Sequence, residues 1–344
     1  MTEAYITVLI NDNYLPGSLV LGRALKKTGT TKRLVILIAN VSDEAIEFLK
    51  EVYDDIIPVN PILSNSFEEL SILGRLDLIS TYTKITIWSQ EQYSKLIYLD
   101  SDVLPLVNID EFFTQIELND SNYLIAASPD SGWPDIFNSG VFITKPSKEI
   151  FNKLLYKIQN EETPSFDGAD QGLLNEFFLG KWFRLPFTFN VTPSASYQYI
   201  PAFNRFAKDI KNIHFIGLNK PWLTRDSSIF ASGSFGKNYE IISNIHKNWW
   251  NVFNSNYFGK SASEIFTISK INQINDYSEK GEGHLLNLPK NFSNKWDEDN
   301  SLKIDEIDEE NQSYQPTPIF PWEKASNKQE ATRVFNDETD FYVE

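Results

Sequence analysis

The hydrophobic period changes repeatedly within the first sixty residues, and that alternation limits the possible fold more than any other feature. TVLI (7–10) is a short apolar run. SLVLGRALKKTG (18–29) has helical spacing and closes on lysines and Gly29. RLVILIAN (33–40) is almost continuously apolar, as expected of a strand buried on both faces of a parallel sheet. SDEAIEFLKEVY (42–53) places Ala45, Phe48, Leu49 and Val52 on one face behind Asp43 and Glu44 in its first turn. DIIPVN (55–60) reads as a third strand. Strands alternating with helices in this order predict an α/β chain with a Rossmann-like, mostly parallel central sheet and helices on both faces. LISTYTKITIWSQEQ (78–92) is predicted as a further helix leading into a fourth strand, KLIYLD (95–100).

Sheets of this kind bind ligands beyond the carboxyl ends of their strands. The fourth strand ends there on Asp100 and Asp102, separated only by Ser101. A backbone bend at Ser101 would let both carboxylates converge on one point. Held close they repel, and one would have to take up a proton unless a cation neutralises the pair. Oxygen ligation suits Mn²⁺ or Mg²⁺, ions that commonly hold substrate phosphates as well. A solvated turn would carry the same D-x-D spelling, so position rather than spelling makes this pair a candidate metal–diphosphate site.

The chain has 344 residues, with 41% apolar residues and enough length for one large domain or two. It contains no Cys, which excludes disulfides, thiolate metal sites and a Cys nucleophile and fits a reducing, cytoplasmic setting. MTEAYITVLI enters a strand without a basic leader region, so no secretory signal is expected. No apolar run approaches the roughly 18 residues of a membrane span. A net charge of −16 argues against nucleic acid as a partner. The charge is uneven: residues 266–344 carry 8 Lys/Arg and 17 Asp/Glu, a net of −9, leaving −7 for the first 265. The expected organisation is a single domain (1–265), an acidic, disordered linker (266–313) and a C-terminal docking segment (314–344). IFPWE (319–323) and TRVF (332–335) are apolar islands in that segment, able to dock on a partner or to fold back on the domain.

The Asp pair resembles the DxD motif of sugar-nucleotide-dependent glycosyltransferases, and the wider chain resembles glycosyltransferase family 8. The resemblance runs through the first 255 positions in NDNYLPGSLVLGRAL (11–25), LGRLDLISTYTKITIW (73–88), YSKLIYLDSDVLPLVNID (93–110), PDSGWPDIFNSGVF (129–142), SFDGADQGLLNEFF (165–178), YQYIPAF (197–203), IHFIGLNKPW (213–222) and NWWNVF (248–253). It is nearest the self-glucosylating members of that family. It implies a GT-A fold and a Mn²⁺-dependent UDP-glucose glucosyltransferase, with Mg²⁺ as an alternative ion. Such an enzyme glucosylates its own tyrosine and extends it as an α-1,4-glucan primer, with retention of configuration.

The resemblance also assigns residues. His214 completes the metal set with Asp100 and Asp102; only three His occur in the chain, and imidazole with carboxylates is a reasonable set for Mn²⁺. Gly217 and Lys220 follow, the first admitting backbone N–H groups to phosphate oxygens and the second adding a point charge for the leaving UDP. Val8, Leu9 and Asn11 would lie at the uracil, with Tyr14 stacked on it. Positions 9 and 10 are Leu and Ile where the family carries threonines, which hands uracil's hydrogen bonds to backbone groups. Arg75, Lys84 and Ser101 complete the nucleotide set. Asp130, Asn138, Ser139, Asp167, Asp170 and Gln171 would read the glucose hydroxyls, although Asp170 and Gln171 could instead cap the helix that begins there.

Asp170 is the one carboxylate available for a double displacement; the alternative is front-face attack with Asp170 positioning substrate. Tyr197 matches the glucosylated residue, with Tyr199 as alternate. The family implies a homodimer, in which one subunit can glucosylate its partner, and tail segments that recruit glycogen synthase. Two rival readings are another family 8 retaining enzyme, such as one using UDP-galactose, and a non-catalytic scaffold that recruits the synthase. The YQY and FDGADQG segments argue against the first, and the intact Asp100, Asp102 and His214 set against the second.

Overall fold

The computed structural model describes residues 2–119, 122–227 and 237–270, and within them nothing of the side chains of residues 196, 197, 237–240 and 242. Everything predicted from residue 271 onward, including most of the linker and the whole segment 314–344, lies outside the described residues, as does the side chain of Tyr197.

The alternation seen in the sequence becomes β1 (Thr2–Leu9), α1 (Leu15–Lys27), β2 (Arg33–Ile38), α2 (Asp43–Lys50) and β3 (Asp55–Pro58), followed by α3 (Phe67–Ile72), β4 (Tyr93–Leu99), β5 (Val103–Pro105) and α4 (Phe112–Gln115). The remaining elements are β6 (Ile125–Pro129), β7 (Phe137–Thr144), α5 (Lys148–Asn160), α6 (Asp170–Phe177), β8 (Trp182–Arg184), α7 (Ala195–Gln198), α8 (Ile200–Phe206), β9 (Asn212–His214), α9 (Lys237–Asn256) and α10 (Lys260–Ile268). α1 starts earlier than its apolar spacing suggests because Pro16 sits in its first turn, where the missing N–H costs nothing. Ser42 caps α2 by accepting from the Ala45 N–H, and Asp43 and Glu44 complement the helix dipole. α10 continues to Ile268, past the expected boundary at 265.

Seven strands form one sheet in the order β3-β2-β1-β4-β7-β6-β8. β1 is parallel to β2 and β4, β2 to β3, and β6 to β8; β7 runs antiparallel to both β4 and β6. Alternate side chains feed two cores. Tyr5, Leu9, Leu34, Ile36, Ile97 and Leu99 pack with Leu19, Leu49, Trp249 and Phe253 of α1, α2 and α9. Ala4, Ile6, Val8, Val35, Leu37, Leu96 and Tyr98 pack on the other face with Tyr82, Trp88, Leu154 and Leu173. Each large side chain fully buried this way contributes roughly 1.5–3 kcal/mol.

The predicted helix over 78–92 is instead a 3₁₀ segment, Leu76–Ser89. Its hydroxyls explain the change. Thr81, Thr86 and Ser89 each donate to the carbonyl three residues back, at 2.7, 2.6 and 2.8 Å. Side-chain bonds of this kind compete with the α-helical ladder, and the β-branched residues around them disfavour it further.

Candidate active site

The sheet order reverses between β1 and β4, and a cleft of about 410 Å³ opens beyond their carboxyl ends. This is the crevice a doubly wound sheet reserves for ligands. Ser101 makes the bend that the Asp pair requires. Its hydroxyl turns inward, donating to the Val8 carbonyl at 3.2 Å and accepting from Ser18 at 2.9 Å. α1 closes over this bend at Gly17, where a Cβ would come within 2.5 Å of the Ser101 carbonyl oxygen.

His214 arrives from more than a hundred residues downstream because β5 pairs antiparallel with β9, with Val103 opposite His214. The Phe215 N–H donates to the Asp102 carbonyl at 3.0 Å and locks the register. His214 Nε2 then lies 3.2 Å from Asp102 Oδ1 and 3.8 Å from Asp100 Oδ2. One donor atom from each of the three residues falls within 4.8 Å of the others. Gly140 makes room for the ring: a Cβ there would sit 2.1 Å from His214 Cε1. Asp102 Oδ1 is buried without a hydrogen-bond partner. A buried carboxylate oxygen facing an imidazole nitrogen, with a second carboxylate alongside, is a donor set suited to a divalent cation.

Two buried lysines flank the acids. Lys220 Nζ donates to Asp102 Oδ2 at 2.5 Å and to the Phe215 carbonyl at 2.9 Å. Burial works to raise the Asp102 carboxyl, but the Lys220 ammonium, helped by His214, holds it well below the usual carboxylate range. Lys84 Nζ lies 2.5 Å from Asp170 Oδ2, 3.1 Å from Asp100 Oδ1 and 3.2 Å from the Ser139 carbonyl. Burial lowers Lys84's proton affinity, yet Asp100 and Asp170 more than offset it and the ammonium is held above its ordinary value. The Tyr98 hydroxyl also donates to Asp100 Oδ1.

The predicted sugar-reading residues meet beside this set, joined to it through Lys84 and Asn190. Ser139 Oγ donates to Asp170 Oδ2 at 2.8 Å, and Gln171 accepts from the Ser139 N–H at 3.2 Å. Asp130 Oδ2 accepts from Gln171 at 2.8 Å and Asn138 at 3.1 Å. The capping role considered for Asp170 and Gln171 falls to Asp167 instead. Asp167 accepts from the Ala169 and Gly172 N–H groups at 2.8 and 3.0 Å at the start of α6, which leaves Asp170 free to pair with Lys84.

Val8, Asn11, Tyr14, Arg75, Lys84, Asp100, Ser101, Asp102, Asp130, Asn138, Ser139, Asp167, Asp170, Gln171, His214, Gly217 and Lys220 all line this one cleft. Gly217 adopts φ +86, a left-handed turn suited to Gly. Tyr14 stands edge-on to Trp222, with Lys220 Nζ 5.7 Å from its ring centre. Arg75 is held by Asp77 at 2.9 Å.

Leu9 departs from its expected place. Its side chain enters the core beneath α1, its carbonyl accepts from the Ala39 N–H at 2.9 Å, and Val8 and Ile10 face the cleft. Period-2 alternation requires that split. Tyr199 is 69% exposed and does not line the cleft. Asn190 was not anticipated as a site residue, yet its side-chain oxygen lies 3.0 Å from His214 Nδ1. Its local sequence, TFNVT, carries no signal beyond a glycosylation sequon.

A mostly parallel sheet with an Asp-Asp-His group able to hold a divalent cation at its switch point, in a cleft lined by polar side chains, is the arrangement of a GT-A glycosyltransferase. The model of Glycosyl transferase family 8 matches residues 5–226. The chain is 40% identical to Glycogenin-1 of Mus musculus over 263 residues, 74% of this chain and 76% of that one. It is 42% identical to Glycogenin of Neurospora crassa over 270 residues, 78% of this chain but 37% of that longer protein. Among solved structures, the galactosyltransferase LgtC in complex with donor and acceptor sugar analogues shares the fold. Its TM-score is 0.52 and its identity 18%, over 76% of this chain and 99% of that one. The chain belongs to glycosyltransferase family 8, among its glycogenins.

Proposed function

We propose that the chain transfers glucose from UDP-glucose to its own tyrosine and lengthens the product as an α-1,4-glucan primer, retaining the anomeric configuration. The observation that supports this most is the Asp100, Asp102 and His214 set, with its unpartnered Asp102 oxygen, in the cleft of a family 8 chain. Those three residues would hold Mn²⁺, or Mg²⁺ in its stead, which supplies positive charge to the diphosphate of the departing UDP. Lys220, three residues beyond Gly217, adds a second cation where that charge develops. Val8 and Ile10 form the floor for uracil, and the Tyr14 ring gives it a face to stack on.

Asp130, Asn138 and Gln171 present donors and acceptors to the glucose hydroxyls. Asp170 Oδ2 is already shared between Lys84 and Ser139. That engagement supports a positioning role and attack of the acceptor on the face the UDP leaves, with a UDP oxygen taking the acceptor proton. A glucosyl–Asp170 adduct caught by mass spectrometry would instead establish double displacement.

The acceptor is Tyr197, with Tyr199 as the alternate. A homodimer in which each subunit presents its tyrosine to the other relieves the problem of reach, and the acidic tail then serves as a tether whose apolar islands engage glycogen synthase in the cytoplasm. Intact-mass measurement with UDP-glucose and Mn²⁺ tests the reading directly. Wild-type protein should gain successive anhydroglucose units. Tyr197→Phe should release UDP without gaining mass, and UDP-galactose should not label the wild type. Mass gain undiminished in Tyr197→Phe moves the acceptor elsewhere.

A further inference from the structure

We propose that Asn190 is a positioning residue that selects the metal-binding tautomer of His214, through a chain of amides whose polarity starts at the Gly140 backbone. The proposal rests on the reading of Asp100, Asp102 and His214 as a cation site.

The direction of each hydrogen bond follows from one unambiguous donor. The Gly140 N–H can only donate, and it does so to Asn138 at 2.9 Å, which makes the receiving atom the Asn138 carbonyl oxygen. Asn138's amide nitrogen is correspondingly turned to Asp130 Oδ2 at 3.1 Å, an acceptor-only group. The same Asn138 oxygen is 2.7 Å from Asn190, so Asn190 must present its NH₂ there. Its own oxygen is thereby turned to His214 Nδ1 at 3.0 Å. Nδ1 carries the proton, and the lone pair of the neutral ring is left on Nε2, the atom facing Asp100 and Asp102.

Every member of this chain is buried: Asn138 is 7% exposed, Asn190 2% and His214 4%. Water cannot readily substitute for a lost link, and an amide flipped at either Asn would leave two like groups facing each other. Gly140 serves the site three ways. Its N–H polarises the amides, its lack of a side chain admits the imidazole, and its carbonyl accepts from the Asp100 N–H at 2.8 Å. One residue of β7 thus bears on two of the three candidate ligands: it fixes the backbone of Asp100 and both the position and the tautomer of His214.

The test uses full-length protein, wild type against Asn190→Ala and Asn190→Leu. Calorimetric titration with Mn²⁺ in the absence of sugar nucleotide should show affinity falling about tenfold or more in both variants, the size typical when the outer partner of a metal-bound His is lost. Metal-independent UDP binding should stay unchanged. Nitrogen-15 spectra of His-labelled, metal-free wild type, at a pH where the ring is neutral, should place the His214 proton on Nδ1. In Asn190→Ala that preference should be lost. The proposal is overturned if both variants bind Mn²⁺ within twofold of wild type, or if the neutral wild-type ring holds its proton on Nε2. The wild-type spectrum requires no variant to fold, and absence of Mn²⁺ binding by wild type would overturn the cation site itself, a separate outcome.

Discussion

Two buried ion clusters share the cleft, and Asp100 belongs to both. Around Lys84 every demand is met from within the chain: three oxygens, from Asp170, Asp100 and Ser139, surround one ammonium. Around Asp102 the arrangement is lopsided. Lys220 satisfies one carboxylate oxygen, while the other is buried with no hydrogen-bond partner and faces an imidazole nitrogen. The first cluster is a finished strut that aligns α6, β7 and the 3₁₀ segment. The second is finished only by a ligand. Buried charge in one cleft is therefore not one kind of feature; how completely its atoms are satisfied separates a cluster the chain closes by itself from one left open to a cation.

That contrast can be broken most sharply by truncating one member of each cluster. Asp102→Ala should lower self-glucosylation by about 10³-fold or more, the loss of several kcal/mol of transition-state stabilisation, read by initial rates of glucose incorporation. Lys84→Met should instead register in urea unfolding as a loss of about 3 kcal/mol, because it strands the buried Asp170 carboxylate and takes a cation from the half-buried Asp100. Equal stability losses with equal activity losses would erase the distinction. Metal linkage gives the next largest difference. Mn²⁺ at about 100 times its Kd should stabilise wild type by about 2.7 kcal/mol. Asp102→Asn should lose that response and Lys84→Met should keep most of it, as judged by thermal melts with and without chelator.

Gly140→Ala should cost about 1–3 kcal/mol from overpacking against His214 and should weaken Mn²⁺ binding, since the ring cannot stay where it is. The smallest effect lies in pH. Asp102's carboxyl is depressed in the folded state relative to about 3.9 when unfolded. Its contribution is thus fully present above the unfolded value and disappears as pH falls through the lower folded one. Metal-free wild type should lose stability more steeply than Asp102→Asn in acid, and the two curves should run parallel at higher pH in urea titrations.

Much of this was legible in the sequence. The β1–α1–β2–α2–β3 alternation is a local pattern, and local patterns are written directly into residue order. The Asp pair at the end of β4 and His214 at the end of an apolar run are legible for the same reason, and the family resemblance gathers the residues of one cleft that lie far apart in the chain. Leu9 and the 3₁₀ segment were misread at the level of individual side chains. Which face Leu9 takes depends on the register of β1 against β2 and β4, and the α-to-3₁₀ change depends on hydroxyls choosing particular carbonyls.

The sequence by itself determined the layered α/β plan and the chemistry available at the strand ends, because periodicity and residue type need no knowledge of neighbours distant in the chain. Only the tertiary structure decided that β5 meets β9, that Asp167 rather than Asp170 caps α6, and that Asn190 reaches His214. Those outcomes depend on pairings across many tens of residues and on which way a buried amide turns, and both are settled by packing rather than by any pattern along the chain.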